Sequence, residues 1–160
     1  MKIFWRTAWQ GQAIVVYRDD TQVDRVDASQ IERVVLVHRG SSNAPGDVVL
    51  GLIELEIECL MFPAETGITG PVNFERQAFW TERACVYWVA ERRAPLPRRM
   101  RRGSWFLPFA PEFMRVPRAQ LAGRIERWPL QGPQTWEQRK WQFIADRQPF
   151  APKDDSRLGI

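Results

Sequence analysis

Val48–Phe62 reads VVLGLIELEIECLMF, the longest β-rich run in the chain. Its residues are strand formers, and its middle alternates strictly. Glu54, Glu56 and Glu58 point one way, and Leu55, Ile57 and Cys59 the other. On this reading the three carboxylates line one strand face over about 13–14 Å. The run is longer than a usual strand, and Gly51 marks a bulge or bend.

Other strands flank it. Residues 2–6 (KIFWR), 12–18 (QAIVVYR), Ile31–Arg39 (IERVVLVHR) and Cys85–Val89 (CVYWV) are rich in β-branched and aromatic residues. Trp9–Gly11 and Asp19–Thr21 read as turns; in Gln22–Asp27 the pattern of Val23 and Val26 is too weak to decide for or against a further short strand. Gly40–Gly46 and Pro63–Pro71 are loops by composition. Asn73 is placed to cap a helix over Phe74–Arg83, with a strand as the alternative. Pro117 opens a second helix through Trp128, in which Leu121, Ile125 and Trp128 form an apolar stripe. Thr135–Gln138 has capping-box spacing and starts a third, to Asp146.

The expected fold is therefore α+β. One antiparallel, curved or barrel-like sheet comes from the N-terminal half, and two or three helices lie mainly in the C-terminal half. With 160 residues and 44% hydrophobic content, residues 1–149 are expected to form a single domain. Residues 150–160 are expected to be a flexible tail.

Charge is unevenly placed. Residues 1–90 carry 8 basic and 12 acidic side chains; residues 91–160 carry 15 and 7. All but Lys2, Lys140 and Lys153 of the basic residues are arginines. Six arginines fall within Arg92–Arg102, with Trp105 and Phe106 just beyond. Such a density must stay solvated or meet a partner, since unpaired charge is not buried. Arg98, Arg99, Arg101, Arg102 and Trp105 are thus the candidate contact residues. A protein partner or a second copy of the chain is favoured over nucleic acid. Single-stranded nucleic acid is the alternative, with guanidinium on phosphate and ring on base. The glutamates of residues 54–58 are the natural counter-charge if the run is neutralised within the fold or between copies.

The motifs of chemistry are sparse. Glu54, Glu56 and Glu58, helped by Asp47 or Glu65, supply the oxygen donors of a divalent-metal hydrolase, the third and weakest reading. Their competing role is cross-strand pairing with Arg33 or Arg39. His38 is the single histidine and has no second histidine for a metal site. Cys59 and Cys85 match no zinc spacing and read as core thiols. Glu65–Pro71 lacks the lysine of a phosphate-binding loop. Trp136 and Trp141 lie on different flanks of their helix, which leaves one exposed for a partner. No cofactor is expected. The N-terminus lacks a signal-peptide apolar core because Arg6 interrupts it, and no run approaches the ~18–20 apolar residues of a membrane span. These features together predict a cytoplasmic, non-enzymatic interaction domain.

Overall fold

A computed structural model describes residues 5–39, 48–63, 86–95, 113–134, 141, 144 and 145. Three strands open the chain: β1 (Trp5–Gln10), β2 (Ala13–Arg18) and β3 (Thr21–Asp27). They form an antiparallel sheet in the order β1-β2-β3. Gly11 turns between the first two at φ +60°, where glycine carries no Cβ penalty. Asp19 makes the next turn at φ +55°, which aspartate tolerates better than most residues. A 3-10 turn over Ala28–Gln30 follows, its start held by the Asp27 N–H donating to Gln30 Oε1 (3.1 Å).

The remaining strands are β4 (Arg33–His38), β5 (Val48–Glu54), β6 (Glu58–Pro63), β7 (Val86–Ala90) and β8 (Met114–Pro117). They form a second sheet in the order β7-β4-β5-β6-β8. Neighbours are antiparallel except β4 and β7, which are parallel. His38, Val48, Pro63, Ala90 and Met114 therefore share one end of this sheet. Arg33, Glu54, Glu58, Val86 and Pro117 share the other.

The five-stranded sheet is buried on both faces. Val34, Leu36, Ile53, Leu60, Val86 and Trp88 pack against Ile14, Val16 and Val26 of the first sheet. On the opposite face Val35, Val37, Leu52, Met61 and Val89 meet Leu121, Ile125 and Trp128. Burying each such side chain contributes about 1.5–3 kcal/mol before chain entropy is counted.

Several expectations are overturned. The fold is not α+β with two or three mainly C-terminal helices. Strand makes up 54% of the described residues, beside one short continuous helix and three 3-10 turns. The described strands form two sheets, not one curved or barrel-like sheet, and the β4–β7 pair is parallel. The expected helix from Pro117 to Trp128 shrinks to a 3-10 turn (Arg118–Gln120) and α1 (Ala122–Ile125). Pro117 instead ends β8, Gly123 is a poor helix residue within α1, and Pro129 blocks continuation beyond Trp128. The apolar stripe keeps its role, since Leu121, Ile125 and Trp128 are all buried. Val48–Phe62 is two strands. Leu55 N–H donates to Glu58 C=O (2.8 Å) across a tight turn at Glu56 and Ile57. The expected Phe74–Arg83 helix and the 150–160 tail lie outside the described residues.

The free edge of β7 is covered. Trp88 and Gln131 exchange two backbone hydrogen bonds of 2.8 Å, and Gln134 N–H donates to Val86 C=O (2.9 Å). Between them Gly132 has φ +130°, and a Cβ there meets Val86 O at 2.8 Å. Gly132→Ala is therefore expected to lose about 1–3 kcal/mol, from backbone strain and the displaced edge. Gly123→Ala, exposed in α1 with open space around it, is expected to gain about 0.4–1 kcal/mol. Urea denaturation of the two variants checks both signs.

Candidate functional site

The hairpin separates the three glutamates. Glu54 pairs in register with Cys59 and faces the α1 side of the sheet. Glu58 is one residue before Cys59, so it faces the three-stranded sheet. Glu56 is exposed in the turn between them. The single acidic face read from the sequence therefore does not form, because reversal of the chain at Glu56 and Ile57 breaks the alternation.

Glu54 is 1% exposed and held by two arginines. Arg33, opposite it on β4, donates through Nε to Glu54 Oε2 and through Nη2 to Glu54 Oε1 (3.0 Å). Those bonds push the Arg33 guanidinium above its ordinary pKa, against the opposing effect of burial. Arg118 approaches Glu54 Oε1 at 3.8 Å through Nε. Its Nη1 donates to Glu32, to Leu55 C=O (3.0 Å) and to Glu56 C=O (3.4 Å). Its backbone N–H donates to Ile57 C=O (2.9 Å). The anticipated pairing of a glutamate with Arg33 is thus present, while Arg39 pairs with Glu91 (3.9 Å).

Arg115 makes the second connection. From β8 it donates to both carboxylate oxygens of Asp24 on β3 (3.1 and 2.8 Å) and to Glu58 on β6. It thereby joins the two sheets. Hydrogen bonding to Asp24, foremost, pushes its pKa up. The roles of Asp24, Glu32, Arg115 and Arg118 are absent from the sequence reading. Arg115 and Asp24 are 91 positions apart, so no local pattern marks them.

The other candidates are dispersed. His38 is buried, its ring tilted 59° to that of Trp88 with centroids 6.4 Å apart. It lies at the end of the sheet opposite Arg33 and Glu54. Cys59 is a free, buried thiol pushed up to about 12, first by burial and then by the Glu54 carboxylate. Asp47, Glu65, Cys85 and Trp136 lie outside the described residues. Among the described residues, no group of three or more His, Cys, Asp or Glu side chains is arranged to hold a metal ion. Trp141 is 63% exposed and Ile57 75% exposed.

Arg98, Arg99, Arg101, Arg102 and Trp105 also lie outside the described residues. Their flanks are described. Arg92 and Arg93, in a 3-10 turn after β7, are exposed and have no carboxylate partner among the described residues. Phe113 leads into β8 and packs on Trp5, ring centroids 5.8 Å apart. Both flanks sit at the end of the sheet away from the Glu54 network. β7 and β8 are its two outer strands.

Comparison with known proteins returns nothing. No family model, no curated protein and no solved structure matches the chain. No helix among the described residues is long and apolar enough to cross a membrane.

Glu54→Gln leaves two guanidinium groups without their buried counter-charge. Arg33 and Arg118 keep 27% and 30% of their side chains in water, which softens the effect. The expected loss is about 3 kcal/mol, the low end for a broken buried pair. Arg115→Met, at the more exposed Asp24–Glu58 pair, is expected to lose about 1 kcal/mol or less, shrinking with added salt. Chemical denaturation at two ionic strengths separates the cases. In a Cys85→Ser background, Cys59 is expected to resist a thiol-specific disulfide reagent at pH 8 and to react only on unfolding. The raised pKa keeps it protonated in the fold, whereas its ordinary value of 9.0 leaves a reactive thiolate fraction in the open chain. The same difference makes the thiol's contribution to stability complete below pH 9 and lost as pH rises toward 12.

Proposed function

We propose that this chain is a non-catalytic interaction domain that binds an acidic protein partner. The contact residues assigned are Arg98, Arg99, Arg101, Arg102 and Trp105. One observation supports this above the rest. Glu54 and Glu58, the counter-charge expected for the arginine run, are already committed to Arg33, Arg118 and Arg115. Arg92 and Arg93, which begin the run, are exposed without a carboxylate partner among the described residues. Glu54 and Glu58 are therefore not available to the run, and a carboxylate-rich protein surface suits the planar guanidinium fork. The free Cys59 thiol fits a reducing compartment such as the cytoplasm.

The metal-hydrolase reading loses its support, because Glu54 and Glu58 face opposite sides of the sheet. Nucleic acid remains the competing ligand for the same arginines. Fluorescence anisotropy with labelled poly-glutamate and labelled single-stranded DNA separates the two. The expected result is poly-glutamate binding at about 50 mM salt that weakens by 200 mM. A variant with all four assigned arginines changed to serine is expected to lose at least about tenfold in affinity, or about 1.4 kcal/mol. Tighter binding of the DNA, with a steep salt dependence, reassigns the surface to nucleic acid. Binding of neither probe overturns the proposal.

A further inference from the structure

We propose that this domain associates head to tail with a second copy of itself, the Glu56–Ile57 turn of one copy docking on the Arg92–Arg93 turn of the next. This goes beyond the binding assigned to Arg98–Trp105 and uses different residues.

The turn is shaped as a contact. Ile57 is 75% exposed, the most exposed of the large apolar side chains among the described residues. Glu56 stands beside it, also exposed. The backbone beneath them is fixed by four hydrogen bonds. Leu55 N–H bonds Glu58 C=O, Arg118 N–H bonds Ile57 C=O, and Arg118 Nη1 bonds the Leu55 and Glu56 carbonyls. A turn held this firmly loses little conformational freedom on docking, so a small apolar contact yields more net affinity.

Its complement lies on the same chain. Arg92 and Arg93 project from a 3-10 turn with exposed Pro95 just after it. Described charge differs between the two ends of the five-stranded sheet. At one end are Glu32, Glu54, Glu56, Glu58 and Asp24 against Arg33, Arg115 and Arg118. At the other are Arg39, Arg92 and Arg93 against Glu91. Counted over these residues alone, the first end is net negative and the second net positive. They cannot meet within one molecule, because a six-residue strand such as β4 holds them roughly 20 Å apart. A second copy brings them together. Since each copy offers two different surfaces, the contact is heterologous and extends into short chains or closes into a ring. It is a turn-sized contact, so the assembly is weak and salt-sensitive.

Sedimentation velocity on the full chain tests it. At low salt the weight-average sedimentation coefficient of the wild type is expected to rise with loading concentration and to fall to the monomer value at high salt. Glu56→Arg alone, and Arg92→Glu with Arg93→Glu, are each expected to stay at the monomer value with unchanged thermal melting. An equimolar mixture of the two variants restores complementary charge at both junctions and is expected to recover the rise. Ile57→Ser is expected to shift the concentration dependence upward by about tenfold. A wild type that is monomeric at every loading overturns the inference, as does association that survives both charge reversals or a mixture that stays monomeric. A wild type that stays monomeric at every loading yet binds poly-glutamate sinks this inference and leaves the proposed function standing.

Discussion

A buried carboxylate, Glu54, is the constraint on which one end of the molecule depends. A lone anion in that position is prohibitive, and removing its partners leaves an uncompensated buried charge. The chain meets this requirement from two directions. Arg33 reaches it across the β4–β5 ladder, and Arg118 reaches it from the segment that covers the sheet. Because Arg118 also binds the carbonyls of the following turn, one side chain ties the hairpin, the covering segment and the preceding strand together. The apolar packing of Leu121 and Ile125 on Leu52 and Cys59 is non-directional. The Glu54 network supplies the direction, fixing where along the sheet that cover sits.

Two-sided burial of the second sheet explains the uneven legibility of the sequence. β2 and β4 are readable because runs such as AIVVYR and RVVLVH are β-branched and continuous, whichever faces they bury. The same continuity hides the β5–β6 reversal. When both faces are apolar, alternation no longer tells inside from outside, and a turn made of Glu56 and Ile57 has none of the glycine, proline or asparagine that announces one. The three-glutamate face was an artefact of that ambiguity. On the helical side, spacing at Leu121, Ile125 and Trp128 correctly marked buried residues. It did not distinguish a long helix from a 3-10 turn followed by a single helical turn, because both place those residues against the same sheet.

The ion pairs show where sequence reading ends. Arg33 and Glu54 were accessible to it, since adjacent strands of opposite charge suggest cross-strand pairing. Arg115 and Asp24 belong to different sheets and different parts of the chain, and only the packing of one sheet on the other brings them together. Their partnership follows from tertiary structure and leaves no periodic trace.

Once these partners are known, the arginines separate into two populations. One is structural: Arg33, Arg115 and Arg118 each bind carboxylates at the end of the sheet that carries Glu54. Arg6, over the Tyr17 ring at 4.1 Å, and Arg18, 5.9 Å from the Trp5 ring, are accommodated on aromatic faces of the smaller sheet. The other population is exposed without a described counter-charge: Arg92 and Arg93 after β7, and Arg124 and Arg127 in and after α1. Composition alone cannot make this division, because the arginine bias pervades the chain. Geometry makes it by assigning particular acids to particular arginines. An arginine already bound to a buried carboxylate has little to offer a ligand, whereas one solvated beside others of like charge gains from any carboxylate that approaches. Arg92 and Arg93, at the end of the sheet opposite Glu54, therefore keep a freedom to pair that Arg33, Arg115 and Arg118 have given up to the internal network.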